Sequence, residues 1–139
     1  MDFSSILLTL KSGFPYFLSH FLLTLAILCL GIVIYNLVTR HDEVSLIKEG
    51  NVASAISFSG AWIGIAMPLA FCMASSYGFY DIIIWGGVAV LVQILAFVVL
   101  DKFLKNLSAR IEKGEVASAI LVFAVKISIA IINSAAISG

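Results

Sequence analysis

Apolar residues fill four long stretches of this chain, 15–38, 52–74, 80–100 and 116–137, and charged residues crowd into the short gaps between them. No stretch alternates as a half-buried strand would. A helix needs about 20 residues to cross roughly 30 Å of hydrocarbon, and each stretch is that long. Irregular backbone facing lipid would leave polar groups without partners, so the pattern predicts four transmembrane helices. Shorter signals flank them. Phe3, Ile6, Leu7, Leu10 and Phe14 share one helical face ahead of Pro15, which predicts an interfacial amphipathic helix or an extension of span one. Leu104, Leu107 and Ile111 predict that span three runs on past the membrane before the chain turns back. Pro68 predicts a kink in span two.

One phrase occurs twice. Ile47-Lys48-Glu49-Gly50-Asn51-Val52-Ala53-Ser54-Ala55-Ile56 returns 64 positions later as Ile111-Glu112-Lys113-Gly114-Glu115-Val116-Ala117-Ser118-Ala119-Ile120. Each copy stands where a charged loop gives way to an apolar run. Two helices per copy bring the chain back to its starting side. The repeat therefore predicts an all-α membrane protein built as two tandem parallel two-helix repeats, about 15–74 and 80–138. Together they make a single integral domain over residues 1–139. Gly50 and Gly114 suit backbone conformations that other residues resist. Asn51 is a good N-cap, and Glu115 sets a negative charge beside a helix N-terminus. Helices in lipid associate by close packing, so Gly50, Ala53, Ser54, Gly60 and Gly64, with Gly114, Ala117 and Ser118, are predicted helix-packing positions.

Composition agrees with the membrane reading and narrows it. The chain is 62% hydrophobic and 12% charged, against about half and a quarter in soluble domains. Eight basic residues balance eight acidic ones, so no net field draws nucleic acid. Arg40, Lys48, Lys102, Lys105, Arg110 and Lys113 lie in the loops after spans one and three. The positive-inside rule puts those loops in the cytoplasm and both termini outside. Tyr16, Tyr77, Tyr80 and Trp85 then form an outer aromatic belt. Cys29 and Cys72 fall at different depths, which excludes a disulfide between them. Two thiols and one nearby histidine give no basis for a metal, a cofactor or redox chemistry.

The combination of motifs resembles the YjfL-like family of small bacterial inner-membrane proteins of unknown function. The resemblance rests on residues 46–60, on Pro68-Leu69-Ala70, on Trp85-Gly86-Gly87-Val88-Ala89 with Gln93, and on Asn133-Ser134-Ala135-Ala136. It implies four helices in the inner membrane, in two tandem repeats, and it brings no catalytic residue, substrate or cofactor. It also implies an association with envelope stress.

Lys126, inside span four, is the residue most in need of an explanation, since a charge at mid-bilayer costs about 2.5–3.5 kcal/mol on insertion scales. No carboxylate lies within the spans. The repeat sets Trp62 at the same depth, which predicts a cation–π partner. Gln93 is the other acceptor at that level, and Asn133 completes the candidate intramembrane polar site. Two functions follow. A non-enzymatic scaffold or partner-binding module, serving envelope integrity beside membrane or cytoplasmic stress-response partners, needs Lys126 only accommodated. A small homo-oligomeric channel or transporter would use Lys126, Gln93 and Asn133 to line an anion path through the bilayer. No nucleophile stands with a base, so an enzyme is not expected.

Overall fold

Six helices appear in the computed structural model, which describes residues 2–76 and 78–139: α1 (Phe3–Val38), α2 (Glu43–Lys48), α3 (Val52–Ser75), α4 (Phe79–Phe103), α5 (Lys105–Glu112) and α6 (Val116–Ser138). Tyr77 of the expected aromatic belt lies outside the described residues. Four helices, α1, α3, α4 and α6, are long and apolar enough to cross a membrane. The amino-terminal segment is part of α1, which continues through Pro15 for 36 residues, roughly 54 Å at 1.5 Å per residue. That exceeds the hydrocarbon thickness, so part of α1 stands beyond it unless the helix is steeply tilted.

The bundle is organised around α3, which touches α1, α4 and α6 and makes its most extensive contact with α6. Small residues set the spacing. A Cβ on Gly60 would stand 3.3 Å from the Phe123 Cα, and one on Gly64 would stand 2.7 Å from the Phe97 Cζ. Ala53 and Ser54 are fully buried. Ile32, Tyr35, Ala61, Ile65, Leu69, Val90, Ile94 and Phe97 form the main core across α1, α3 and α4. A second cluster of Ala53, Ile111, Ala119 and Val122 closes the end of the bundle that carries α2 and α5, called here the loop end.

Span three does not run on as its spacing suggested. It stops at Phe103, Leu104 leaves helical geometry (φ −104°, ψ 31°), and α5 starts afresh. The reason is burial. Leu104 and Leu107 pack on the loop-end cluster that contains Ile111, which a straight extension would strand in water. The short helix α2 has no counterpart among the expected elements. Asp42 caps it, accepting from the Ser45 backbone N–H at 3.1 Å and the Ser45 hydroxyl at 2.6 Å. Those two bonds hold the Asp42 carboxyl below its ordinary pKa.

Both copies of the repeated phrase make the same turn. Gly50 and Gly114 each have φ +88°, and nothing lies within 4 Å of where their Cβ would be. Their work is therefore in the turn and not in packing helix against helix. The Gly50 N–H bonds to the Ile47 carbonyl while the Asn51 N–H reaches back to Leu46. Gly114 and Glu115 repeat this pattern on Ile111 and Arg110. Each turn ends one helix and opens the next without a spare residue. The copies part company just beyond. Ala53 is buried, whereas Ala117, its counterpart, is exposed.

Candidate functional site

Lys126 is placed on α6 by the register that buries Val122 and Ala130 one turn to either side. Side chains on a helix lean toward its N-terminus, and for α6 that is the loop end. The Lys126 amine therefore travels away from mid-bilayer. Nζ donates to the Tyr35 hydroxyl at 2.9 Å, the Ser57 carbonyl at 3.0 Å and the Ser57 hydroxyl at 3.2 Å. These three acceptors match the three N–H donors of an ammonium.

The two hydroxyls pass the interaction on. Tyr35 donates to Glu43 Oε2 and Ser57 donates to Glu43 Oε1, each at 3.0 Å. Lys126 Nζ itself stands 3.9 Å from Glu43 Oε1. Every hydrogen in this set has an acceptor. Lys126, Glu43, Tyr35 and Ser57 are all less than 9% exposed, so the charges meet in a poorly screened interior. Phe97 and Tyr35 turn their rings to the amine, with centroids 5.6 and 5.2 Å away. A cavity of about 30 Å³ adjoins the pair, with Asp101 and Ser108 on its wall. It has room for about two waters.

Two expectations are corrected here. Trp62 is not the lysine's aromatic partner; it is 39% exposed and meets the Phe58 ring instead. Equal backbone depth was the wrong measure, because the lysine stem carries its charge more than a turn toward the loop end. The carboxylate absent from the spans is also present at the site. Glu43 comes from α2, which folds back beneath the bundle, and lies eight residues beyond Tyr35. Sequence reasoning missed Glu43, Tyr35 and Ser57. The one faint signal was Asp42 with Ser45, a capping pair that marks a helix start beside Glu43.

Gln93 and Asn133 form a separate polar pair. The Asn133 amide donates to Gln93 Oε1 at 3.0 Å and to the Ala89 carbonyl at 3.1 Å. Phe97, one turn along α4 from Gln93, stands against Lys126. No hydrogen bond among the described residues joins the amide pair to the lysine. Gln93 Nε2 and the Ser54 hydroxyl are buried without partners. Cys29 is exposed, Cys72 is buried and both are free thiols. No group of three His, Cys, Asp or Glu side chains that could hold a metal ion occurs among the described residues.

Comparison with known proteins settles the family. A family model described as Domain of Unknown Function (DUF350) matches residues 9–137. This chain belongs to the DUF350 family. It is 29% identical over 119 residues to the UPF0719 inner membrane protein YjfL of Escherichia coli strain K12, covering 86% of this chain and 90% of the relative. The protein of the same name from Escherichia coli O157:H7 matches with the same figures. No solved structure matches significantly. An inner-membrane relative and four apolar helices make this DUF350 chain a multi-pass inner-membrane protein.

Proposed function

We propose that this DUF350 protein is a non-enzymatic scaffold of the inner membrane, in which the Lys126–Glu43 pair latches the loop helix α2 to the bundle. The observation that carries the reading is the closure of the network. Every hydrogen-bonding group of the lysine is met within one protomer, and the polar groups fall into two sets with Phe97 between them. A permeation path needs polar groups connected across the bundle, and no hydrogen bond among the described residues joins the two sets. The loop end, held rigid by the latch, is the natural platform for a partner. Its place in envelope integrity is supported by the family resemblance alone.

Two further parts of the reading are proposals of the same kind. Duplication of one hairpin is supported by the matched turns at Gly50 and Gly114 and by the preference of α3 for α6. A cytoplasmic loop end with both termini outside is supported by the six basic residues in its loops. Cysteines placed at Ser45, Ser76 and Ser108, with Cys29 and Cys72 replaced, test the orientation. A membrane-impermeant reagent outside intact cells should modify position 76 alone, and modification at 45 or 108 would reverse the topology.

Reconstitution in vesicles tests the scaffold itself. Chloride and proton flux should be no faster than in protein-free vesicles. In cells, deletion should raise envelope permeability to a dye under membrane stress, and the wild-type chain should restore it. Flux in the wild type that a folded Lys126→Met variant loses would replace the scaffold with an oligomeric channel. A deletion strain with normal permeability would remove the envelope role.

A further inference from the structure

A second cavity, of about 220 Å³, opens at the loop end and is lined by Arg40, His41, Asp101, Lys102 and Lys105. Three of these are permanent cations. Arg40, Lys102 and Lys105 are exposed, and none has an ion-pair partner among the described residues. The other two wall residues are already engaged. His41 is paired with Glu112, and Asp101 accepts a hydrogen bond from the Ser108 hydroxyl at 2.7 Å. Asp101 thus carries one negative charge against three positive ones. Like charges held around a concavity favour an anion bound between them.

The depth of the cavity decides which anion. Arg40 follows the end of α1 by two residues, Lys102 is in the last turn of α4, and Lys105 opens α5. Two helices long and apolar enough to cross a membrane end here, so the membrane reading sets the cavity toward one headgroup layer. Leu37 and Phe103, 78% and 83% exposed, stand three residues before Arg40 and between the two lysines. They offer apolar surface directly beside the cationic mouth. A phosphodiester with acyl chains fits both halves of this surface, and a free anion would use only one.

From this juxtaposition we infer that Arg40, Lys102 and Lys105 form a binding site for the phosphate of an anionic phospholipid, whose chains lie against α1 and α4 beside Leu37 and Phe103. The site neighbours the Lys126 latch, whose cavity shares His41 and Asp101 with it, and it does not depend on which side of the membrane the loop end faces. It differs from a diffuse basic loop in that the other cations of this end, Lys48, Lys113 and the Glu115-paired Arg110, do not line it. Loss of all three wall cations should weaken binding by roughly tenfold or more.

Native mass spectrometry of the full chain tests the site in mixed micelles of phosphatidylglycerol and phosphatidylcholine. The wild type should retain one phosphatidylglycerol with a preference of about tenfold over phosphatidylcholine. Arg40→Gln/Lys102→Gln/Lys105→Gln should lose that preference, while Lys48→Gln/Lys113→Gln keeps it. If the triple glutamine variant does not fold, Arg40→Glu and Lys102→Glu are read singly, and each should lower retention. Millimolar inorganic phosphate should not displace the lipid. Equal retention of the two lipids, equal loss in the Lys48/Lys113 control, or displacement by inorganic phosphate would each overturn the assignment, the last in favour of a free-anion site.

Discussion

Lys126 Nζ stands 2.9 Å from the Tyr35 hydroxyl, although 91 positions separate the two residues in the chain. That contact joins the last helix to the first, which otherwise meet little. It also reverses an expectation. Without a carboxylate nearby, Lys126→Met would have left stability level or raised it. With Glu43 buried in the same network, the substitution strands a negative charge and should destabilise by about 3–5 kcal/mol. Lys126→Met/Glu43→Gln should recover a substantial part of that loss. Unfolding titrations of the four proteins in mixed micelles measure the coupling. A single mutant as stable as wild type would mean that the pair contributes nothing.

Glycines in this chain divide into two kinds, and substitution should separate them. Gly64→Leu forces a side chain into Phe97 and should lower stability by about 1–3 kcal/mol through overpacking. Gly50 meets nothing, so its constraint is the backbone alone. Gly50→Ala should cost about 1–2 kcal/mol for its positive φ, and Gly50→Asn clearly less. Thermal unfolding in detergent ranks the three. Equal tolerance of alanine and asparagine at position 50 would remove the backbone argument.

Asn51 does two jobs at once. Its Oδ1 accepts the Ser54 N–H at 3.0 Å, and its Nδ2 donates to the Ile111 and Glu112 carbonyls at 3.2 and 3.0 Å. Asn51→Asp keeps the first and loses the second. Hydrogen exchange should then quicken at the end of α5 while the first turn of α3 stays protected. Asn51→Ala should expose both, with a loss of about 1–2 kcal/mol. Unchanged exchange in α5 of Asn51→Asp would show that the bridge carries no weight.

Acid should loosen the opening of α6. Hydrogen bonds from Arg110 and then Ser118 hold the Glu115 carboxyl below its ordinary pKa. A lowered folded pKa means that its stabilisation is present above the ordinary carboxylate value, about 4, and disappears as pH falls through the lowered one. Asp42 at the start of α2 behaves alike. Amide protection in both first turns, once corrected for intrinsic exchange, should hold from pH 7 to about 5 and then decline. Glu115→Gln should remove that acid dependence in α6 only.

The spans were legible because hydrocarbon imposes a length, and residues 52–74 or 80–100 satisfy it whatever they pack against. The turns were legible because a glycine and a cap at fixed spacing leave few conformations. Neither signal reaches α2, six residues long and polar on its surface. Its importance comes from Glu43 alone, and only the fold-back under α3 gives that carboxylate a partner. Lys126 was found and its surroundings misjudged for one reason. Sequence fixes where a Cα sits along a span, whereas a lysine stem moves the charge several ångströms along the bundle. Asp42-Glu43-Val44-Ser45 and the direction of the lysine side chain together would have brought the two charges into one picture.

Asn51 and Glu115 each close one helix through the backbone N–H and stand at the N-cap position of the next, and this leaves the chain no slack at either turn. Such a joint sets rotational phase as well as direction. One residue added between Gly50 and Val52 would turn α3 by about 100°, since a helix advances 3.6 residues per turn. Ser57 would swing off the lysine, Gly60 off Phe123 and Gly64 off Phe97 in a single step. The two glycine turns thus act as the indexing pins of the bundle, and the loops that hold them can vary in residue type far more freely than in length.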